Sequence, residues 1–116
     1  MPLKVLIVDD HPSFRSAARL LLEFEGFEVV GEAEDGSTGI SATAELSPDV
    51  VLLDVNLPDL DGFDVASRIC VNAMAPKVVL TSSRDMREFG PLVRRSGARG
   101  FIPKGELTGE ALSALL

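Results

Sequence analysis

The 116 residues contain one cysteine and no tryptophan or tyrosine. A lone cysteine, Cys70, excludes an internal disulfide and a cysteine-based zinc site, and its side chain reads as a small core hydrophobe. Long apolar runs are missing too, since no unbroken stretch approaches the roughly 20 residues that span a bilayer. The opening "MPLKVLIV" lacks the basic segment, extended apolar stretch and small-residue cleavage site of a secretory signal, so it reads as part of a cytoplasmic fold. Positive charge is scarce: 11 Lys and Arg against 18 Asp and Glu leave a net charge of -7. That balance argues against direct DNA binding by this segment, because neutralising phosphates needs a basic face. The late arginines Arg84, Arg87, Arg94, Arg95 and Arg99 read as a solvated helix face that could also meet an acidic partner.

What is present is alternation, on a scale that fits one domain. "LKVLIV" has the continuous apolar character of a strand buried on both faces. In "PSFRSAARLLLEFEG", Phe14, Ala17, Ala18, Leu21 and Leu22 recur at helical spacing, with Pro12 suited to the first turn and Gly26 to the stop. The pattern repeats as strand "EVVG", helix about 37–46, strand "VVLLD", helix about 62–73, strand "KVVLT", a fourth helix, strand "GFI" and a terminal helix from about Glu106. Five strands alternating with five helices predict an α/β fold with a doubly wound parallel sheet and right-handed crossovers. Gly90-Pro91 falls in the middle of the fourth helical segment, where an interior proline costs ~3 kcal/mol or more, so that helix is expected to be short and to start near Pro91, or to be irregular before it.

Ligands of an open α/β sheet bind beyond the carboxyl ends of its strands. Those ends carry Asp9 and Asp10, Asp54, Thr81-Ser82 and Lys104. A single acid there would be read as a helix cap, but three at central strand ends repel, each pair by roughly 4 kcal/mol at ~4 Å and an effective dielectric near 20. A cation must offset that repulsion. Carboxylate oxygens with no histidine or cysteine partner favour a hard ion with several waters, Mg2+ or Mn2+. Lys104 and the Ser82 hydroxyl, facing a metal-bound carboxylate, would then make a pocket for a phosphoryl group, with Asp54 as the nucleophile. His11, beside Pro12, reads as shaping the turn into the first helix.

With these residues in place the chain resembles, along essentially its whole length, the receiver domain of two-component response regulators. The resemblance is closest to the subfamily whose receivers precede a helix-turn-helix DNA-binding domain. It is carried by "VLIVDDHPSFR", "VVGEAEDG", "PDVVLLDVNLPDLDGFDV", "VVLTSS" and "SGARGFIPK", in that order and spacing. The resemblance implies a flavodoxin-like sheet of order 2-1-3-4-5 and a Mg2+-dependent switch, phosphorylated on Asp54 by a sensor histidine kinase. It further implies Asp10, Asp54 and the backbone carbonyl of Asn56 as direct metal ligands, with Asp9 acting mainly through water. Ser82 takes the place of the family's Thr/Ser, with Thr81 as the alternative should the count back from Lys104 slip by one. Lys104 matches the family's lysine and Phe101 its switch aromatic, while Asn56 and Arg84 flank the pocket mouth.

On this reading the surface of the fourth helix, fifth strand and fifth helix changes on phosphorylation and supports a homodimer. DNA is reached only through an effector domain outside these residues, and no membrane is involved. Two other readings stand beside it. A haloacid-dehalogenase-like phosphohydrolase would need a second acid two positions after Asp54, where Asn56 stands, and a substrate cap for which 116 residues leave no room. A receiver-like interaction module that is never phosphorylated is opposed by the complete acid set and Lys104.

Overall fold

The computed structural model describes residues 2–71, 74–83 and 90–116. Its elements are β1 (Lys4–Val8), α1 (Pro12–Phe24), β2 (Glu28–Ala33), α2 (Gly36–Leu46), β3 (Val50–Asp54), α3 (Gly62–Cys70), β4 (Lys77–Ser82), α4 (Gly90–Arg95), β5 (Gly100–Pro103) and α5 (Gly109–Ala114). The strands form one sheet of order β2-β1-β3-β4-β5 with every neighbouring pair parallel, as expected from the sequence. All five strands therefore end at the same edge, which is what brings residues far apart in sequence into one place.

The apolar runs of the central strands are buried on both faces, as their composition requires. Leu6, Val8, Val51, Leu53, Val78 and Leu80 face a core with Val65, Ala66, Ile69 and Val93 from α3 and α4. The alternate residues Val5, Ile7, Val50, Leu52 and Val79 face the other core, with Ala18 and Leu22 of α1 and Leu112 of α5. Burying each of these branched side chains contributes about 1.5–3 kcal/mol, so the two-layer core holds the strand ends firmly.

Helix ends follow local chemistry. Pro12 opens α1, and the helix stops in a Schellman arrangement: Gly26 at φ 97° lets Phe27 N donate to Leu22 O (2.9 Å) and Gly26 N donate to Glu23 O (3.2 Å). α4 is described over Gly90–Arg95, a span that includes Pro91, and residues 84–89, on which the expectation of a short or irregular fourth helix turns, lie outside the described residues. The expected extension of the third helix to 73 ends instead at Cys70, and residues 72 and 73 lie outside the described residues. The terminal helix also starts later than Glu106. Lys104–Glu106 form a 3-10 turn, and Thr108, extended at φ -142°, caps α5 by accepting from Ala111 N at 2.9 Å.

Candidate functional site

Asp9 is the first residue beyond β1, and its backbone N donates to Ala33 O (3.0 Å), prolonging the ladder with β2. Its side chain is 1% exposed. Asp54 is the last residue of β3 and is 2% exposed. Strand alternation turns both carboxylates toward the α1/α5 face, in line with Ile7 and Leu52. Two buried carboxylates side by side need a compensating charge, and Lys104 reaches over from the end of β5. Its Nζ lies 2.7 Å from Asp9 Oδ2, as an ion pair off the hydrogen-bonding line, and donates to Asp54 Oδ2 at 3.4 Å. The ammonium also sits 4.6 Å over the Phe14 ring, whose π face favours a cation.

Burial pushes the Asp54 carboxyl above its ordinary range; the hydrogen bond from Asn56 N (3.1 Å) opposes this, the charge of Asp9 adds to it and Lys104 draws it back. Asp10, next along the chain, is partly exposed. Asp9, Asp10, Asp54 and His11 each offer a ligand atom, and these atoms lie within 4.8 Å of one another. Asp10 Oδ1 is buried without a hydrogen bond. Converging carboxylate oxygens, two of them (Asp9 Oδ2 and Asp10 Oδ1) buried without a hydrogen bond, fit a hard divalent ion.

The surrounding loops are fixed by backbone contacts. Gly62 packs so closely on the end of β3 that a Cβ there would lie 2.5 Å from Asp54 O and from Val55 Cα, and its N donates to Val55 O at 2.8 Å. Asp59 accepts from Gly36 N (2.7 Å) and Ser37 N (3.0 Å), pinning the β3–α3 loop to the start of α2. Those bonds, that from Gly36 first, hold its carboxyl below the usual carboxylate value. Arg15 donates from Nη1 to the Asp9 carbonyl (2.6 Å) and from Nε to Glu32 (3.1 Å), tying α1 and β2 to the acid-bearing turn.

A single family model, described as the response regulator receiver domain, matches residues 5–115. The chain belongs to that family. This receiver is 40% identical over 111 residues to BvgA of Bordetella pertussis, named as a positive transcription regulator of virulence factors, covering 96% of the chain and 53% of the relative. It is 36% identical over 115 residues to the transcriptional regulatory protein LiaR of Bacillus subtilis, covering 97% of the chain and 54% of LiaR. The chain thus spans about half the length of these curated relatives. Among solved structures, the receiver domain of NarL from Mycobacterium tuberculosis superposes with a TM-score of 0.87 at 31% identity, covering 98% of this chain and 96% of that one. A LuxR-family two-component response regulator from Aurantimonas gives 0.88 at 28% identity, covering 99% and 83%.

The receiver brings together Asp9, Asp10, Asp54 and Lys104 as the sequence indicated. Thr81 and Ser82 both end β4 and are buried, at 1% and 0% exposure. Thr81 is the register partner of Asp54, and its Oγ1 is buried without a hydrogen-bond partner. Ser82 alternates to the opposite face, in line with Leu80 and with Phe101, which is half-buried against the α3/α4 core. Asn56 is exposed and meets Asp54 through its backbone N. Arg84 and Arg87 lie outside the described residues.

Sequence reasoning missed His11, Phe14, Arg15 and Asp59 as neighbours of the site. The adjacency of His11 to the acid pair was a signal; the other three depend on how α1 and the β3–α3 loop fold back. A surface groove of about 640 Å³ between α2 and α3, lined by Ile40, Thr43, Arg68, Ile69 and Met74, contains none of the acid cluster.

Proposed function

We propose that this receiver accepts a phosphoryl group on Asp54 from a phosphohistidine of a sensor histidine kinase, in the presence of Mg2+, with Mn2+ as a substitute. The observation that carries the reading is the arrangement at Asp54: a buried carboxylate between Lys104 and two further acids, on an otherwise apolar strand end. Asp9, Asp10 and Asp54, with the Asn56 carbonyl, would hold the metal. When bound, the ion supplies positive charge that offsets the repulsion between these carboxylates and the phosphoryl oxygens.

The residues divide the remaining work. An Asp54 carboxylate oxygen attacks phosphorus; the new O–P bond forms as the N–P bond to the donor imidazole breaks, and the imidazole leaves with that electron pair. Asn56 N and Lys104 Nζ hold the two carboxylate oxygens in place before attack. Lys104 then faces the transferred phosphoryl group as a fixed cation. A buried hydroxyl at the end of β4 supplies a hydrogen bond. Its place across the ladder from Asp54 and its unpaired Oγ1 favour Thr81 over Ser82. Phe101, beside Leu80 on the sheet face that Ser82 shares and Thr81 does not, would take up a shift of the end of β4 through packing and pass it to the α4/β5/α5 surface.

Residues 1–116 then form one cytoplasmic receiver domain, with phosphorylation favouring a homodimer. The length of the curated relatives supports an effector domain in the native protein, through which DNA is contacted. The test is to incubate the receiver with Mg2+ and acetyl phosphate and weigh the intact protein. One added phosphoryl group is expected in the wild type and none in Asp54→Asn. No mass shift would favour a non-phosphorylated interaction module, and turnover of unrelated phosphoesters would favour a hydrolase.

A further inference from the structure

Phe14 opens the core-facing stripe of α1, with Ala18, Leu21 and Leu22 following at helical spacing. The helix leaves the carboxyl edge of the sheet, so Phe14 lies at the site end of the α1/α5 core. Its turn is fixed on the site. Arg15, the next residue, donates to the Asp9 carbonyl at 2.6 Å, and His11 N donates to Asp9 Oδ1 at 2.8 Å. Lys104 has less support from its own backbone. It opens a 3-10 turn in which a Cβ on Gly105 would meet nothing within 4 Å, and its four-carbon stem is flexible.

The place of the Lys104 ammonium is thus set by what it meets. Among the described residues it faces Asp9 Oδ2 at 2.7 Å, Asp54 Oδ2 at 3.4 Å, His11 Nδ1 at 3.4 Å and the Phe14 ring, 4.6 Å to its centroid. Asp9, His11 and Asp54 belong to the acid cluster, so a metal ion and a phosphoryl group would draw on the same side chains. The ring is outside that competition. It attracts a cation through its quadrupole and takes up none of the three N–H donors of the ammonium. Loss of water strengthens the attraction, and the Lys104 side chain is 14% exposed.

We propose that Phe14 is a positioning residue for phosphoryl transfer: its ring face keeps the Lys104 ammonium beside Asp54 while the carboxylates that hold it at rest turn to a metal ion and the incoming phosphoryl group. This rests on the function proposed above and adds to it a contact from outside the acid cluster. A cation already in place needs no reorganisation as charge develops on the phosphoryl oxygens.

Ring fluorination separates this attraction from packing, because each fluorine drains the π face while the ring keeps nearly its size. With Phe14 replaced by its mono-, di- and trifluorinated forms, phosphorylation from acetyl phosphate and Mg2+ should slow stepwise, by roughly threefold or more for the trifluorinated ring. Phe14→Tyr should keep most of the rate, and Phe14→Leu should lose at least as much as the trifluorinated ring. A rate unchanged within about 1.5-fold across the fluorinated series, or one that falls only in Phe14→Leu, would overturn the assignment. Without a phosphodonor, 13C relaxation should show the Lys104 Cε growing more mobile along the same series, its resonance told from those of Lys4 and Lys77 by Lys→Arg variants. Lys104 loosened by fluorination in a receiver that accepts no phosphoryl group would remove the function and keep Phe14 as the support of the ammonium. A receiver phosphorylated equally fast with every ring, and with Lys104 equally ordered, would keep the function and overturn the role of Phe14.

Discussion

Thr81 lies directly across the β3–β4 ladder from Asp54, on the same face of the sheet, with its hydroxyl buried and unpaired. A buried hydroxyl without a partner costs about 1–3 kcal/mol, so Thr81 is expected to weigh against the stability of the unphosphorylated fold. Thr81→Val should therefore leave the unphosphorylated fold as stable or more so, by on the order of 1 kcal/mol, while slowing phosphorylation from acetyl phosphate. Ser82→Ala should retain more of the phosphorylation rate than Thr81→Val. Urea denaturation and intact-mass time courses on the two variants check both statements, and the reverse order of effects would return the role to Ser82.

How the sequence fared at this pair shows what it can carry. Asp9, Asp10, Asp54 and Lys104 were legible because parallel strands end at one edge, so topology alone brings their carboxyl-end residues together. The choice between Thr81 and Ser82 was not, because a one-residue slip moves a side chain to the other face and counting back from Lys104 crosses a helix of unsettled length. His11 was assigned to its turn on backbone grounds. Only its side-chain direction, set by α1 beginning at Pro12, turns the ring over the acids. The start of the last helix slipped from Glu106 to Gly109 because Thr108 supplies a cap that an apolar pattern does not report.

Gly62 holds the end of β3 by close backbone contact. Gly62→Ala places a Cβ 2.5 Å from Asp54 O, and backbone cannot yield as a flexible side chain does. Overpacking of this kind costs about 1–3 kcal/mol, and it should also shift Asp54 and slow phosphorylation. Gly105→Ala, where nothing lies within 4 Å, is the control expected to change neither. Equal stability of the two variants would show that the β3–α3 loop adjusts freely.

Asp54 itself should weigh against stability when no divalent ion is bound. Its carboxyl is raised in the folded state, chiefly by burial, so ionising it opposes folding. The penalty is absent below the unfolded-state value, grows as pH rises through the carboxylate range, and is full above the raised folded value. Asp54→Asn should thus be more stable than wild type at neutral pH without metal, with the difference closing under acid. Mg2+ at 100 times its dissociation constant should stabilise the wild type by about 2.7 kcal/mol and the variant by less. Urea melts across pH, with and without Mg2+, decide this; an Asp54→Asn protein less stable than wild type at neutral pH would contradict it.

Asp59 has the opposite sign. Its carboxyl is depressed below 3.8, first by the hydrogen bond from Gly36, so its stabilising effect is present above the unfolded-state value and is lost as pH falls through the folded one. Asp59→Asn should be less stable than wild type at neutral pH, with the gap closing in strong acid and narrowing in high salt. A gap independent of pH would mean that the loop is held by packing and not by the carboxylate.

The most direct test of the account is to locate the phosphoryl group. Borohydride reduces an aspartyl phosphate to homoserine, so the receiver treated with acetyl phosphate and Mg2+, reduced, digested and sequenced by mass should carry homoserine at position 54. Aspartate should remain at positions 9 and 10. Homoserine at either of those positions, or a phosphoryl group surviving on His11, Thr81 or Ser82 with Asp54 intact, would contradict the central claim.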